Sequence, residues 1–177
     1  FTHDIAFMRK LVDAAQTRDV PFVYHWMHRV NGTPGHVKPN SSPKLALGAA
    51  LKGDATRAVA DHANLAPKQQ EQAVGVALDY LRSACEALVE EYLFAKTIQR
   101  YDDHIRVQNL EEVIFDQALA LRVAELHGKL SELILAHNRS DEMREDGAGI
   151  AQFQMALEAF GALEAALKDA RKKSLKA

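Results

Sequence analysis

One cysteine in 177 residues, Cys85, leaves no internal disulfide to form and favours a reducing compartment. No apolar run approaches the roughly 18 residues that a membrane-spanning helix needs. The opening residues also lack the cationic start and apolar stretch of a signal peptide. A cytoplasmic chain without a membrane partner is therefore expected. Charge of either sign is not in excess: 22 Lys and Arg stand against 24 Asp and Glu, for a net −2. That balance excludes a global field for nucleic acid or a membrane surface and leaves only local basic patches. At 47% hydrophobic and 26% charged residues, the chain is not disordered over most of its length.

The first residue is Phe1, and Phe-Thr-His-Asp reads like the last residue of a buried strand followed by a helix cap. The chain is therefore expected to be the C-terminal part of a longer protein. Thr2 or Asp4 caps a first helix with Ile5, Met8, Leu11, Val12 and Ala15 at helical spacing. Arg18-Asp19 close it, and Pro21 forbids continuation. Phe22 to Val30 is dense in aromatic and β-branched residues and predicts a strand. Asn31-Gly32-Thr33-Pro34-Gly35 predicts a turn, with a loop running on to Pro43 as a domain boundary. Leu45 to His62 predicts a short Ala-rich helix. Pro67 opens a long helix whose apolar positions run Ala73, Ala77, Leu81, Ala84, Leu88, Tyr92 and Ala95. A break at Arg100 to Asn109, with an extended piece at Ile105 to Val107, precedes a helix carrying Leu119, Val123, Leu126, Leu130, Leu133 and His137. A polar loop from Asn138 to Gly149 leads to a last helix with Phe153, Leu157, Phe160, Leu163 and Leu167. Three such amphipathic helices pack as an antiparallel bundle.

Phe-Thr-His-Asp-Ile-Ala-Phe, followed by a helix and a strand, resembles the switch-histidine region of SMC- and RecF-like ABC-type ATPases of bacterial defence and repair systems. The resemblance covers about the first 40 residues. It implies that His3 contacts the γ-phosphate or the attacking water, that ATP and Mg serve the intact protein, and that two heads close as a self dimer. The chain departs from the family in lacking both a Gly-x-x-x-x-Gly-Lys-Ser/Thr phosphate loop and a Walker B run. Alone it is expected to bind no cofactor and hydrolyse no ATP.

Arg82 and Glu86 stand four residues apart on one helix face. The plain reading is a surface ion pair worth at most about 0.5 kcal/mol, with the less favourable order of basic residue first. A functional reading comes from Leu81-Arg82-Ser83-Ala84-Cys85-Glu86-Ala87-Leu88 and the later Ile134-Leu135-Ala136-His137. Together they are similar to the Arg-x-x-x-Glu…His pattern of anticodon nucleases fused to such ATPase heads, which are helical and metal-independent. The resemblance implies that Arg82 neutralises the phosphate while Glu86 and His137 share acid–base work. The gap from Glu86 to His137 is longer than that family's. His127 is the rival: Arg122-Val123-Ala124-Glu125-Leu126-His127 resembles the Arg-x-x-x-x-His signature of HEPN ribonucleases, although a histidine beside a leucine stripe is also an ordinary half-buried helix residue. His137, at a helix C-terminus, also suits the helix dipole without any ligand.

His25, His28 and the loop residue His36 have no cysteine or well-spaced acid beside them, so no metal site is expected. Tyr24 and Trp26 are expected to face a core. Tyr101-Asp102-Asp103-His104 reads as a solvated loop, and Arg171-Lys172-Lys173 as a complement to the last helix's dipole. The expected fold is mainly α: a small β-α-β remnant of an ATPase head at 1–43, then an α-helical domain at 44–177. That domain is either a metal-independent ribonuclease, with RNA or DNA as its partner, or a dimerisation or docking module for a separate effector protein.

Overall fold

The computed structural model describes residues 5–30, 33–39, 47–100, 104–137 and 149–174. The chain is mainly helical and divides into two compact units. The first holds residues 1–46 and 99–104, and the second holds 47–98 and 105–177. The division thus falls at 46/47, with a short excursion of the connector after residue 98.

In the first unit, α1 spans Ile5–Thr17. It ends in a Schellman motif: Val20 N–H donates to Ala15 O at 2.9 Å and Asp19 N–H to Gln16 O at 3.2 Å. Asp19 takes the left-handed conformation the motif requires (φ 51°), and Pro21 follows it. β1 (His25–Val30) and β2 (Thr33–Pro39) pair antiparallel, with Met27 opposite Val37 and His28 opposite His36. The register slips between His28 and Val30. Here the expected β-α-β remnant needs correction. Residues 33–39, expected to be loop, form a second strand, and His36 lies on it. Pro34, Gly35 and Pro39 argue against a strand in the middle of a sheet, but in a two-stranded hairpin every residue is on an edge, where proline is tolerated. The strand expected to end at Phe1 lies outside the described residues. Tyr24 precedes β1 and stacks on Phe22 at 5.7 Å between ring centroids. No described side chain of residues 7–39 is fully buried.

The second unit is a bundle of α2 (Gly48–Ala58), α3 (Pro67–Leu88), α4 (Gln117–His137) and α5 (Ile150–Ser174). α3 is its centre and packs against the other three. Its buried residues Val74, Ala77, Leu78, Leu81, Ala84, Cys85 and Leu88 wrap more than one face, which is why its small residues matter: alanine admits a close neighbour where leucine fills a gap. Leu119, Val123, Leu126 and Leu130 of α4 and Phe153, Phe160, Leu163 and Leu167 of α5 complete the core.

Helix starts use local signals. Pro67 begins α3, and Ala66 N–H donates to Gln69 Oε1 at 3.2 Å. α5 repeats the device, with Gly149 N–H donating to Gln152 Oε1 at 2.7 Å. Leu119 N–H donates to Asp116 Oδ1 at 3.0 Å, so Asp116 caps α4. α2 is capped from far away: Gly48 N–H donates to Glu91 Oε1 at 2.6 Å.

α3 does not continue as an α-helix to Ala95. It widens into a π turn at Val89–Leu93, and the chain then reverses through Ala95 (φ 49°) and Lys96 (φ 60°). The return leg is tied down by Asn109 Nδ2 donating to Ala95 O at 3.0 Å and Ile114 N–H to Leu93 O at 2.9 Å. A short 3₁₀ helix at Val107–Glu112 begins at the last residue of the extended piece expected at Ile105 to Val107, while Ile105 and Arg106 belong to no helix or strand. Arg171 of α5 closes the region, bonding Glu112 and the Glu91 carbonyl. Arg171 stands with Lys172 and Lys173 in the basic last turn expected to complement the helix dipole, and it is an internal clamp as well.

Candidate functional site

α4 packs against α3, and Glu86 of α3 lies beside His127 of α4. Glu86 Oε1 lies 3.4 Å from His127 Nε2 and 3.8 Å from Arg82 Nη1. Arg82 Nη2 donates to Asp79 Oδ1 at 3.0 Å. Asp79, Arg82 and Glu86 follow one another at i, i+3 and i+7 and so share a face. Arg82, Glu86 and His127 are each between one third and two fifths exposed. Arg82 Nε is buried without a hydrogen-bond partner among the described residues, so the charge is presented through its two terminal nitrogens.

Glu86 and His127 sit on an open groove of about 420 Å³ between the helices. Its other walls are apolar: Val89, Leu93 and Phe94 on the α3 side, Val123 and the small residues Ala120, Ala124 and Gly128 on α4. Cys85 reaches the groove but is no nucleophile. Burial, and then the charge of Glu86, push its thiol up to about 12. What the arrangement offers chemically is a carboxylate and an imidazole in contact beside a guanidinium, open to solvent.

Of the residues singled out in the sequence, Arg82 and Glu86 come together, with a histidine completing the cluster. That histidine is His127. His137 ends α4, roughly 15 Å further along the helix axis at 1.5 Å per residue, and its side chain lies outside the described residues. His3 also lies outside them. Arg122 is exposed. Asp79 was not foreseen, although an acid three residues before an arginine is the favourable helical order and was there to be read. Among the described residues no cluster of His, Cys, Asp or Glu is arranged to hold a metal, and no helix is long and apolar enough to cross a membrane.

A second polar cluster lies on the opposite flank of the core. Glu164, nearly buried, accepts from Lys168 Nζ at 2.6 Å and Lys52 Nζ at 3.2 Å. Burial alone would raise its carboxyl pKa, but the two lysine bonds bring it below the ordinary value. Lys168 is correspondingly raised, chiefly by its bond to Glu164. This cluster joins α2 to α5.

No family model, no curated protein and no solved structure matches this chain.

Proposed function

We propose that the helical unit is a metal-independent ribonuclease in which Glu86 and His127 share the proton transfers and Arg82 neutralises the phosphate. The observation that carries this reading is the contact of Glu86 and His127 on one solvent-open groove, with the Arg82 guanidinium beside Glu86. Glu86 takes the proton of a ribose 2′-hydroxyl, and the 2′ oxygen attacks the adjacent phosphorus. The bond from phosphorus to the 5′ oxygen breaks as His127 gives that oxygen a proton. The products are a 2′,3′-cyclic phosphate and a 5′-hydroxyl. Arg82, steadied by Asp79, faces the charge that gathers on the phosphate oxygens. His127 is preferred to His137 because it touches Glu86. In the SMC/RecF-like ATPase that the first 40 residues resemble, ATP and Mg would be held by the head. His3 would contact the γ-phosphate, and closure of a head dimer would govern the helical unit.

A second reading is a docking module for an effector protein, without catalysis. It is favoured by the exposed apolar side chains Ile98, Ile105, Val107, Leu110 and Phe115 along the connector, the last of them 91% exposed. Incubating the protein with a tRNA pool in EDTA separates the two. The nuclease reading expects fragments ending in 2′,3′-cyclic phosphate. RNA left intact would end it in favour of docking. If the chain belongs to an ATP-hydrolysing protein of the kind its first 40 residues resemble, His3→Ala in that protein should lose most hydrolysis, and unchanged turnover would end the switch assignment.

A further inference from the structure

The catalytic reading uses one end of the groove, the Glu86–His127 contact. The rest, walled by Val89, Leu93, Phe94, Val123 and Ala124, has no role in proton transfer. An apolar hollow with a few polar groups at one end, and of this size, is the ordinary form of a small-ligand site. Resting on the ribonuclease reading, we infer that this part of the groove holds one unstacked nucleobase of the substrate RNA, with Phe94 as its stacking partner.

The chemistry of the walls selects a base over an aliphatic side chain. A base has flat apolar faces and a polar edge in one rigid plane. The faces suit Phe94, 40% exposed where it lines the groove, and the aliphatic walls opposite. The sugar and phosphate that the base carries then fall at the polar end of the groove, where Glu86 and His127 stand. An apolar side chain from a partner protein would cover the same carboxylate and give it nothing in return, at the cost of desolvating it. Small residues at Ala120, Ala124 and Gly128 leave the α4 side open, and a Cβ added at Gly128 would meet nothing within 4 Å.

The position of the groove also restricts the substrate. A base can enter only if it has left its stack and its pairing partner, so paired RNA is excluded unless it is first opened. Phe94 follows directly on the π turn and precedes the two residues of positive φ, Ala95 and Lys96. The widened helical turn thus leads directly into the stacking residue of the groove, in keeping with the frequency of π turns at functional sites.

The test uses a single-stranded hexanucleotide carrying 2-aminopurine and 2′-O-methyl sugars, which resists cleavage by the mechanism above. Its fluorescence is titrated with the 177-residue chain. The single strand should bind with a change in 2-aminopurine emission. The same base within a duplex should bind at least about tenfold more weakly, and Phe94→Ala should weaken single-strand binding by about tenfold. Phe94→Tyr should keep the affinity, and Ala124→Phe, which fills the groove, should abolish binding. Equal binding by wild type and Phe94→Ala would overturn the inference. So would absence of binding by the wild type, which would leave the groove to a protein partner. Cleavage is scored separately on unmodified RNA. Cleavage that ignores Phe94 removes the base site and keeps the nuclease, whereas Phe94-dependent binding without cleavage does the reverse.

Discussion

The two units of this chain use their apolar residues in opposite ways. In the helical unit, Leu78, Leu81, Leu88, Leu130, Phe153 and Phe160 are sealed from solvent. In the first unit, Phe7, Leu11, Val23, Met27 and Val37 are each about half exposed or more. A helix and a two-stranded hairpin offer too little surface to cover one another's apolar faces, whereas four helices around α3 cover theirs. Stability and the candidate site therefore both belong to the second unit. The first presents faces of the kind that a neighbour would cover.

The sharpest way to break this contrast is by truncation. Phe160→Ala should cost about 3–5 kcal/mol in chemical denaturation, because it opens a cavity in a closed core. Met27→Ala should stay within about 0.5 kcal/mol. Similar losses at both positions would show that the first unit has a core of its own.

Glu164 tests the polar side of the same bundle. Glu164→Ala should cost about 1–3 kcal/mol by removing two charge-assisted bonds, less whatever Lys52 and Lys168 recover from water. Its lowered pKa has a definite sign. The contribution is complete above the ordinary carboxyl value of 4.5 and is lost as pH falls through the lower folded value. Lys168, raised above 10.5, contributes fully below that value and loses its part as pH rises through the folded one. Glu164→Gln should therefore flatten the acid limb of the stability curve. An unchanged acid limb would show that other carboxylates govern it.

A smaller effect is expected at the chain reversal. Lys96 holds a left-handed conformation that glycine adopts without strain, so Lys96→Gly should stabilise by up to about 1 kcal/mol, less the entropy glycine adds to the unfolded chain. The smallest effect is an expected lack of one. With its pKa near 12, roughly one Cys85 thiol in ten thousand is ionised at pH 8, so alkylation in the folded protein should be negligible and should appear only on denaturation. Rapid labelling of the native protein would mean that the groove opens to its floor.

The long helices were legible because their apolar residues repeat every three or four positions and because Pro67 marks a start. The hairpin was half legible: β-branched and aromatic residues announced β1, while the prolines and glycine of β2 hid a strand whose edge position makes them harmless. The end of α3 was illegible, since nothing in Val89 to Lys96 marks a π turn or two residues of positive φ; packing and distant bonds from Asn109 and Arg171 hold them there. At the site, the spacing of Arg82 and Glu86 was visible in the sequence. Which histidine joins them depends on the register of α3 against α4, which no local pattern encodes.

The account stands most directly on one comparison: cleavage of a tRNA pool in EDTA by wild type, Arg82→Ala, Glu86→Ala, His127→Ala and His137→Ala, each checked for an intact helical circular-dichroism spectrum. Cleavage by wild type and His137→Ala, with loss of at least about a hundredfold in the other three, is the predicted result. Wild-type rates in His127→Ala, or no cleavage by the wild type, would contradict it.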